Sequence, residues 1–317
     1  MKFTFLLPIV LISGLAVGAW THQTDKLAST PQTVPGLLAA LNLTDDQKAG
    51  FQAQERKKQR PSGNNQPKPE VNLPIIKVPV TPVVGPPPAS RFNLKNWKLT
   101  LPYNKAGNYG GHAAEIGAKQ LVAGFKDPHF YTDANGTMIF WCPVIGSTTG
   151  NTKFPRSELR EMLEPGNVGR NWDSTGTHQL EGRCRLLQVP SYPKVVIGQI
   201  HSYTGKSKPL VKLQYYKGRM EALVKLSPFA GKDKLIKFAD VGLNNDIAWQ
   251  IQLKDAVLSV TVNGVTQTEN MLTHDPRWAE QTFYFKAGAY PQDDTGDVTE
   301  GARVAFSQLN ASHNQKP

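Results

Sequence analysis

Cysteine is scarce in this chain. Cys142 and Cys184 are its only two among 317 residues, which excludes a four-thiolate zinc site and a densely stapled disulfide scaffold. The seven histidines are dispersed, without HxxH or HxxxH spacing, so a helical zinc motif is missing as well. No Walker or dinucleotide glycine fingerprint occurs, and no metal or cofactor is implied. Beyond residue 90, helical periodicity is nearly absent. Acidic residues are in deficit: 25 Asp and Glu face 36 Lys and Arg, a net charge of +11. The basic residues never run beyond three in a row, so the dense tract of a nucleic-acid-binding arm is lacking. An anionic partner of another kind remains, an acidic polymer or a membrane surface.

The two cysteines leave a choice. In an oxidising compartment Cys142 and Cys184 form a candidate disulfide, worth roughly 4 kcal/mol for a loop of that length. The alternative is two buried thiols. Neither cysteine has the neighbours of a catalytic or metal-binding one.

The first residues explain why an oxidising compartment matters. Lys2 precedes the apolar run "FTFLLPIVLISGLAVGAW", with small residues at Val17 and Ala19 suited to cleavage after Ala19. Residues 1–19 are therefore expected to be an export signal, with an uncleaved membrane anchor as the alternative. Residues 20–60 read as a tether with one short helical candidate, opened by the capping-box pattern "TDDQ" at Thr44–Gln47. Residues 61–90, "PSGNNQPKPEVNLPIIKVPVTPVVGPPPAS", are a Pro-rich spacer. The globular domain is expected over 91–317. It is itself basic, with 27 Lys and Arg against 20 Asp and Glu. A secreted or periplasmic monomer is the expectation.

Strand patterns fill that domain. "NWKLTLP" sends Trp97, Leu99 and Leu101 to one face and Lys98 and Thr100 to the other. "TMIFWCPV", "KVVIGQIHSY", "AWQIQL" and "AVLSVTV" follow, the last leading into Asn263-Gly264, the preferred pair for a tight hairpin. Such a series predicts an all-β sandwich or jelly roll, in which one sheet offers a concave face to a long polymer. The Gly-rich stretch 104–115 reads as a loop, either a lid over that face or a plain flexible connection.

Three strands carry unusual polar faces. In "PRSELREM", Arg156, Glu158 and Arg160 share one side. In "GQIHSY" it is Gln199 and His201, and in "YFKAGAYPQ" it is Tyr284, Lys286, Tyr290 and Gln292. Each alone is an ordinary solvated face. Together they supply cations and an amide to neutralise a carboxylate, an imidazole that titrates near neutrality, and a phenol to carry a proton.

In this order, within an all-β domain, "RSELRE", "QIH" and "YFKAGAYPQ" resemble polysaccharide lyase family seven, the alginate lyases; "NWKLTLP" is similar to that family's opening strand. The resemblance covers about residues 91–312. It implies a β-jelly roll with the substrate groove across a concave sheet, and cleavage of alginate by β-elimination without water or metal. By resemblance, Arg156 and Gln199 would neutralise the sugar carboxylate. Tyr290 would protonate the leaving oxygen, and could serve as base as well for mannuronate, whose C5 hydrogen is syn to the leaving group. His201 would take the proton from guluronate. Arg160, Lys286 and Gln292 would hold neighbouring carboxylates and hydroxyls, with Tyr284 on the same binding face. Glu158 would orient the arginines. Ile200 hints at acceptance of guluronate-containing blocks, and an open cleft at endo action.

Rival readings are a lyase for another polyuronate such as glucuronan, and a non-catalytic polysaccharide-binding module. A glycoside hydrolase would need two carboxylates flanking the scissile bond, and no strand alternates acidic residues in that way.

Overall fold

The computed structural model describes residues 85–150, 152–204, 208–229 and 231–314. The expected export signal, the tether and residues 61–84 of the spacer lie outside the described residues. Two antiparallel sheets make up the fold. The front sheet has eight strands in the order β10 (Asp233–Asp240), β9 (Arg219–Lys225), β8 (Pro209–Tyr216), β7 (Lys194–Ser202), β14 (Phe283–Pro291), β5 (Ser157–Glu161), β1 (Trp97–Thr100) and β2 (Glu115–Ile116). The back sheet has seven: β13 (Val265–Asn270), β12 (Val257–Val262), β11 (Ile247–Lys254), β6 (Thr177–Gln188), β15 (Gly301–Asn314), β4 (Met138–Pro143) and β3 (Phe130–Thr132). Among the described residues helix is confined to short pieces, including α1 (Ala118–Val122) and α2 (Met271–His274).

Alternation decides what each strand buries. On β12 Leu258, Val260 and Val262 point inward, and on β14 Phe283, Phe285, Ala287 and Ala289 do. They meet Trp97, Phe140, Trp172 and Phe306 between the sheets. Burying side chains of this size stabilises by roughly 1.5–3 kcal/mol each. The indole of Trp249 on β11 lies between a glycine of each sheet. A Cβ at Gly182 or Gly198 would stand 2.8 or 2.9 Å from that ring, so both strands need a residue without a side chain there. Asn263 and Gly264 both take positive φ, 48° and 83°, and turn β12 into β13 as their sequence predicts.

The disulfide candidate is not realised: Cys142 and Cys184 are both free and buried. The topology gives the reason. Cys142 lies on β4 and Cys184 on β6, and β15 runs between the two strands. Two strand spacings amount to about 10 Å, beyond the reach of a disulfide. Burial pushes the Cys184 thiol up to about 12, and Cys142 well above its usual value.

The stretch 104–115 is fastened from several sides. Asn104 Oδ1 accepts from the Ala106 and Asn108 amides, and Ser147 Oγ donates to Gly110 O at 2.5 Å. Tyr109 is buried, with its hydroxyl 2.9 Å from His129 Nε2. Asp127 stands 2.9 Å from His129 Nδ1 and accepts from the Tyr103 hydroxyl at 2.9 Å, so side chains anchor this segment to the sandwich.

Candidate active site

Strand register assembles the polar face of the front sheet. Lys98 on β1 faces Arg160 on β5, Arg160 faces Lys286 on β14, and Lys286 faces Gln199 on β7. One step along, Glu158 sits opposite Thr100 and Gly288; one step the other way, Tyr284 pairs with His201. The three unusual strands of the sequence are thus adjacent, in the order β7-β14-β5. A bulge between Ala287 and Tyr290 resets the register. It is built on Gly288, whose φ of 153° and close approach to Ser157 O admit no Cβ. Past the bulge Tyr290 lies under Arg156, whose guanidinium carbon is 3.8 Å from the ring centroid.

Glu158 is the hub. Its carboxylate is 1 % exposed and accepts from Gln199 Nε2 at 2.5 Å, from Arg156 Nη1 at 3.1 Å and from Lys286 Nζ. Burial alone would raise its pKa; Lys286 and Arg156 outweigh that and hold the carboxyl below its ordinary range. Lys286 is drawn down to about 8 by burial and by Arg156, with Glu158 opposing. Arg156 spends only part of its donor set. It is 5 % exposed, and its Nε and Nη2 find no hydrogen-bond partner among the described residues. Leaving charged donors buried in that state is costly, and an anion with paired oxygens would relieve it.

His201 is held neutral. Burial, then the positive charge of Lys286, pull its pKa down to about 3. Nδ1 lies 2.9 Å from Ser202 O, which can only accept, so Nδ1 carries the proton and the basic lone pair is on Nε2. The ring stacks on Tyr284, centroids 5.2 Å apart at 19°, and the Tyr284 hydroxyl is 3.2 Å from Nδ1. Arg160 packs on the same tyrosine, its guanidinium carbon 4.0 Å from the Tyr284 ring centroid. Its Nη1 donates to Glu161 O and its Nη2 to Val168 O and Asn171 Oδ1.

A cleft of about 470 Å³ opens over this face, lined by Lys98, Thr100, Glu115, Thr149, Arg156, Arg160, Val168, Tyr203, Tyr284 and Lys286. Of the residues singled out in the sequence, Gln292 stands apart. Its amide bonds the carbonyl of Pro291, and no described hydrogen bond joins it to the cluster. Tyr203, Thr149 and Asn171 escaped sequence reasoning. Tyr203 directly follows "GQIHS", a usable signal; Thr149 and Asn171 sit in irregular segments with no pattern to mark them. Among the described residues no group of His, Cys, Asp or Glu is placed to hold a metal ion.

Known proteins match both the sequence and this architecture. The family model described as "Alginate lyase" matches residues 92–313. An alginate lyase of Klebsiella pneumoniae is 28% identical over 302 residues, 76% of this chain and 96% of that protein. Among solved structures, an alginate lyase from Pseudomonas aeruginosa is 38% identical with a TM-score of 0.63, covering 70% of this chain and 99% of that one. Alginate lyase A1-II′, described as a member of polysaccharide lyase family-7, is 35% identical with a TM-score of 0.67 over 73% of this chain and all of its own. A substituted form of that enzyme is in complex with a substrate, GGMG. The two-sheet β-jelly roll and its sequence place this chain among the alginate lyases of polysaccharide lyase family 7.

Proposed function

We propose that this lyase cleaves alginate within the chain, accepts guluronate-containing blocks, and works with His201 and Tyr290 as its proton-transfer groups. A uronate carboxylate beside the scissile bond takes the open Nε and Nη2 donors of Arg156, with Gln199 alongside. Neutralised in this way, it makes the adjacent C5 hydrogen acidic enough to remove. In guluronate that proton passes to Nε2 of His201. The C5–H electron pair becomes the C4–C5 double bond, the C4–O bond breaks, and the departing oxygen takes the Tyr290 hydroxyl proton. In mannuronate Tyr290 accepts the C5 proton as phenolate and returns it to the same leaving oxygen. Each proton-transfer group contributes typically ~10²–10⁴-fold. Glu158 orients Arg156, Gln199 and Lys286. Export of the enzyme, by way of the apolar N-terminal run, fits a polymer met outside the cytoplasm.

The observation that carries this reading is the buried, half-spent guanidinium of Arg156 on the Tyr290 ring, within the Glu158 cluster and on the face of the neutral His201. The test is ultraviolet absorbance of the full chain incubated with polyguluronate, polymannuronate and glucuronan, since elimination makes a conjugated double bond. Absorbance should rise with both alginate blocks, and viscosity should drop early if cleavage is internal. His201→Ala should abolish the rise on polyguluronate, and Tyr290→Phe on both blocks. A rise on glucuronan alone would reassign the substrate. Alginate binding without any rise would leave a binding module.

A further inference from the structure

One run of contacts lies behind the groups that would touch the sugar. Past β5 the chain forms the segment 163–171, and Arg160 reaches from the sheet into it. Its Nη2 donates to Val168 O at 2.7 Å and to Asn171 Oδ1 at 2.9 Å, while Nη1 donates to Glu161 O at 2.7 Å. Asn171 closes the ring by donating from Nδ2 to Val168 O at 3.1 Å. Both terminal nitrogens of this guanidinium therefore serve oxygens of their own chain, whereas Arg156 keeps two nitrogens unspent. Arg160 lines the cleft together with Tyr284, its guanidinium carbon 4.0 Å from the centroid of that ring. The far side of the relay is the Tyr284–His201 stack and the 3.2 Å contact between Tyr284 Oη and His201 Nδ1.

We propose that Asn171 and Arg160 are positioning residues for His201, acting through Tyr284, and that they favour cleavage at guluronate over mannuronate. The inference rests on the reading of His201 as the guluronate base. A ring that must accept a proton from C5 has to be held to within a fraction of an ångström. Tyr290 is fixed separately, by Arg156 and the Gly288 bulge, so loosening the Asn171 end should leave its chemistry in place.

The experiment compares Asn171→Ala and Asn171→Asp in the full chain, with polyguluronate and polymannuronate assayed separately. Asn171→Ala should lower kcat on polyguluronate about 10- to 100-fold, with KM and the polymannuronate rate held within about twofold. Asn171→Asp keeps an acceptor for Arg160 and should restore most of the loss. The pH profile gives a second readout. Lys286, Glu158 and Arg156 are the charged groups that bear on the His201 ring. A loosened, better-solvated ring should move the acid limb on polyguluronate towards the ordinary imidazole range. Equal losses on both blocks, a change in KM alone, or no change at all would overturn the proposal. His201→Ala separates the two layers. If it impairs both blocks alike, the assignment of His201 to guluronate fails and the selectivity of the brace falls with it. If His201→Ala is selective and Asn171→Ala is not, only the brace is wrong.

Discussion

Glu158 and Glu161 stand three residues apart on one short strand, and both are buried, at 1 % and 3 % exposure. They face opposite ways. Glu158 looks out of the sheet at Lys286, Arg156 and Gln199. Glu161 looks into the sandwich, where Oε2 accepts from Trp172 Nε1 and the Phe285 amide, each at 3.0 Å, and Oε1 lies 2.6 Å from His313 Nε2. Behind it His313 Nδ1 meets His178 Nδ1 at 2.9 Å, and His178 Nε2 meets Thr175 O at 2.8 Å. The protons can be counted. Thr175 O only accepts, so His178 carries its proton on Nε2 and accepts on Nδ1, because burial holds it neutral. His313 therefore gives its Nδ1 proton to His178, and its Nε2 faces Glu161. Every group in this chain has a fixed partner. Around Glu158, by contrast, Arg156 retains open donors. Complete satisfaction marks a structural carboxylate, and deliberate incompleteness marks a working one.

The largest effect should come from breaking the satisfied side. Glu161→Gln removes the charge that ties β5 to β14, Trp172 and β15, and should cost about 3 kcal/mol or more of stability in urea unfolding. The surviving folded enzyme should keep most of its kcat. Glu158→Gln should do the reverse, lowering kcat/KM about 10²-fold, or roughly 2.7 kcal/mol, with a smaller loss of stability. The cushion is Lys286. Already drawn down to about 8, it can shed its proton near neutrality once its counter-charge is gone. If both variants lose stability and activity in the same proportion, the two carboxylates are not specialised.

A smaller effect separates the two sides by pH. His178 and His201 both have folded pKa values below the ordinary imidazole value of 6.5. Below that value the unfolded chain binds more protons than the folded one, so stability is full above it and declines as pH falls. Melting temperature should therefore drop between about pH 7 and pH 5, and His178→Gln should flatten part of the slope. Activity should not follow the same curve. With His201 neutral down to about 3, the acid limb of kcat/KM on polyguluronate should lie well below 6.5. A limb at the ordinary imidazole value would break this account of the site.

Much of the working side was legible in sequence because strand parity is a strict rule. Residues two apart share a face, so Arg156, Glu158 and Arg160, or Gln199 and His201, were grouped from "PRSELREM" and "GQIHSY" alone. The sandwich followed in the same way from alternation and from Asn263-Gly264. Parity fails where a strand ends or a loop begins. Gln292 shares its parity with Tyr290 but lies beyond the end of β14, where its backbone amide donates to Lys194 O and its side-chain amide to the carbonyl of Pro291. Parity also says nothing of strand order, and the order places β15 between Cys142 and Cys184. The Glu161 chain was invisible for a related reason. Glu161, His178 and His313 are far apart in sequence, on three strands of two sheets, and only packing brings them together.

A third carboxylate sharpens the contrast at its weakest end. Asp246 pairs with Arg185, Oδ1 to Nε at 2.7 Å, in geometry as good as any ion pair in the core. Both side chains are about half exposed, at 47% and 54%. The hydrogen bond lowers the Asp246 pKa and raises that of Arg185. Water and salt would nevertheless replace most of what it provides. Asp246→Asn should leave the urea midpoint and the rates on both alginate blocks unchanged, at low salt as at high. A loss approaching that of Glu161→Gln would show that geometry, not burial, sets the value of a carboxylate in this protein, and the distinction between Glu158 and Glu161 would then need a different basis.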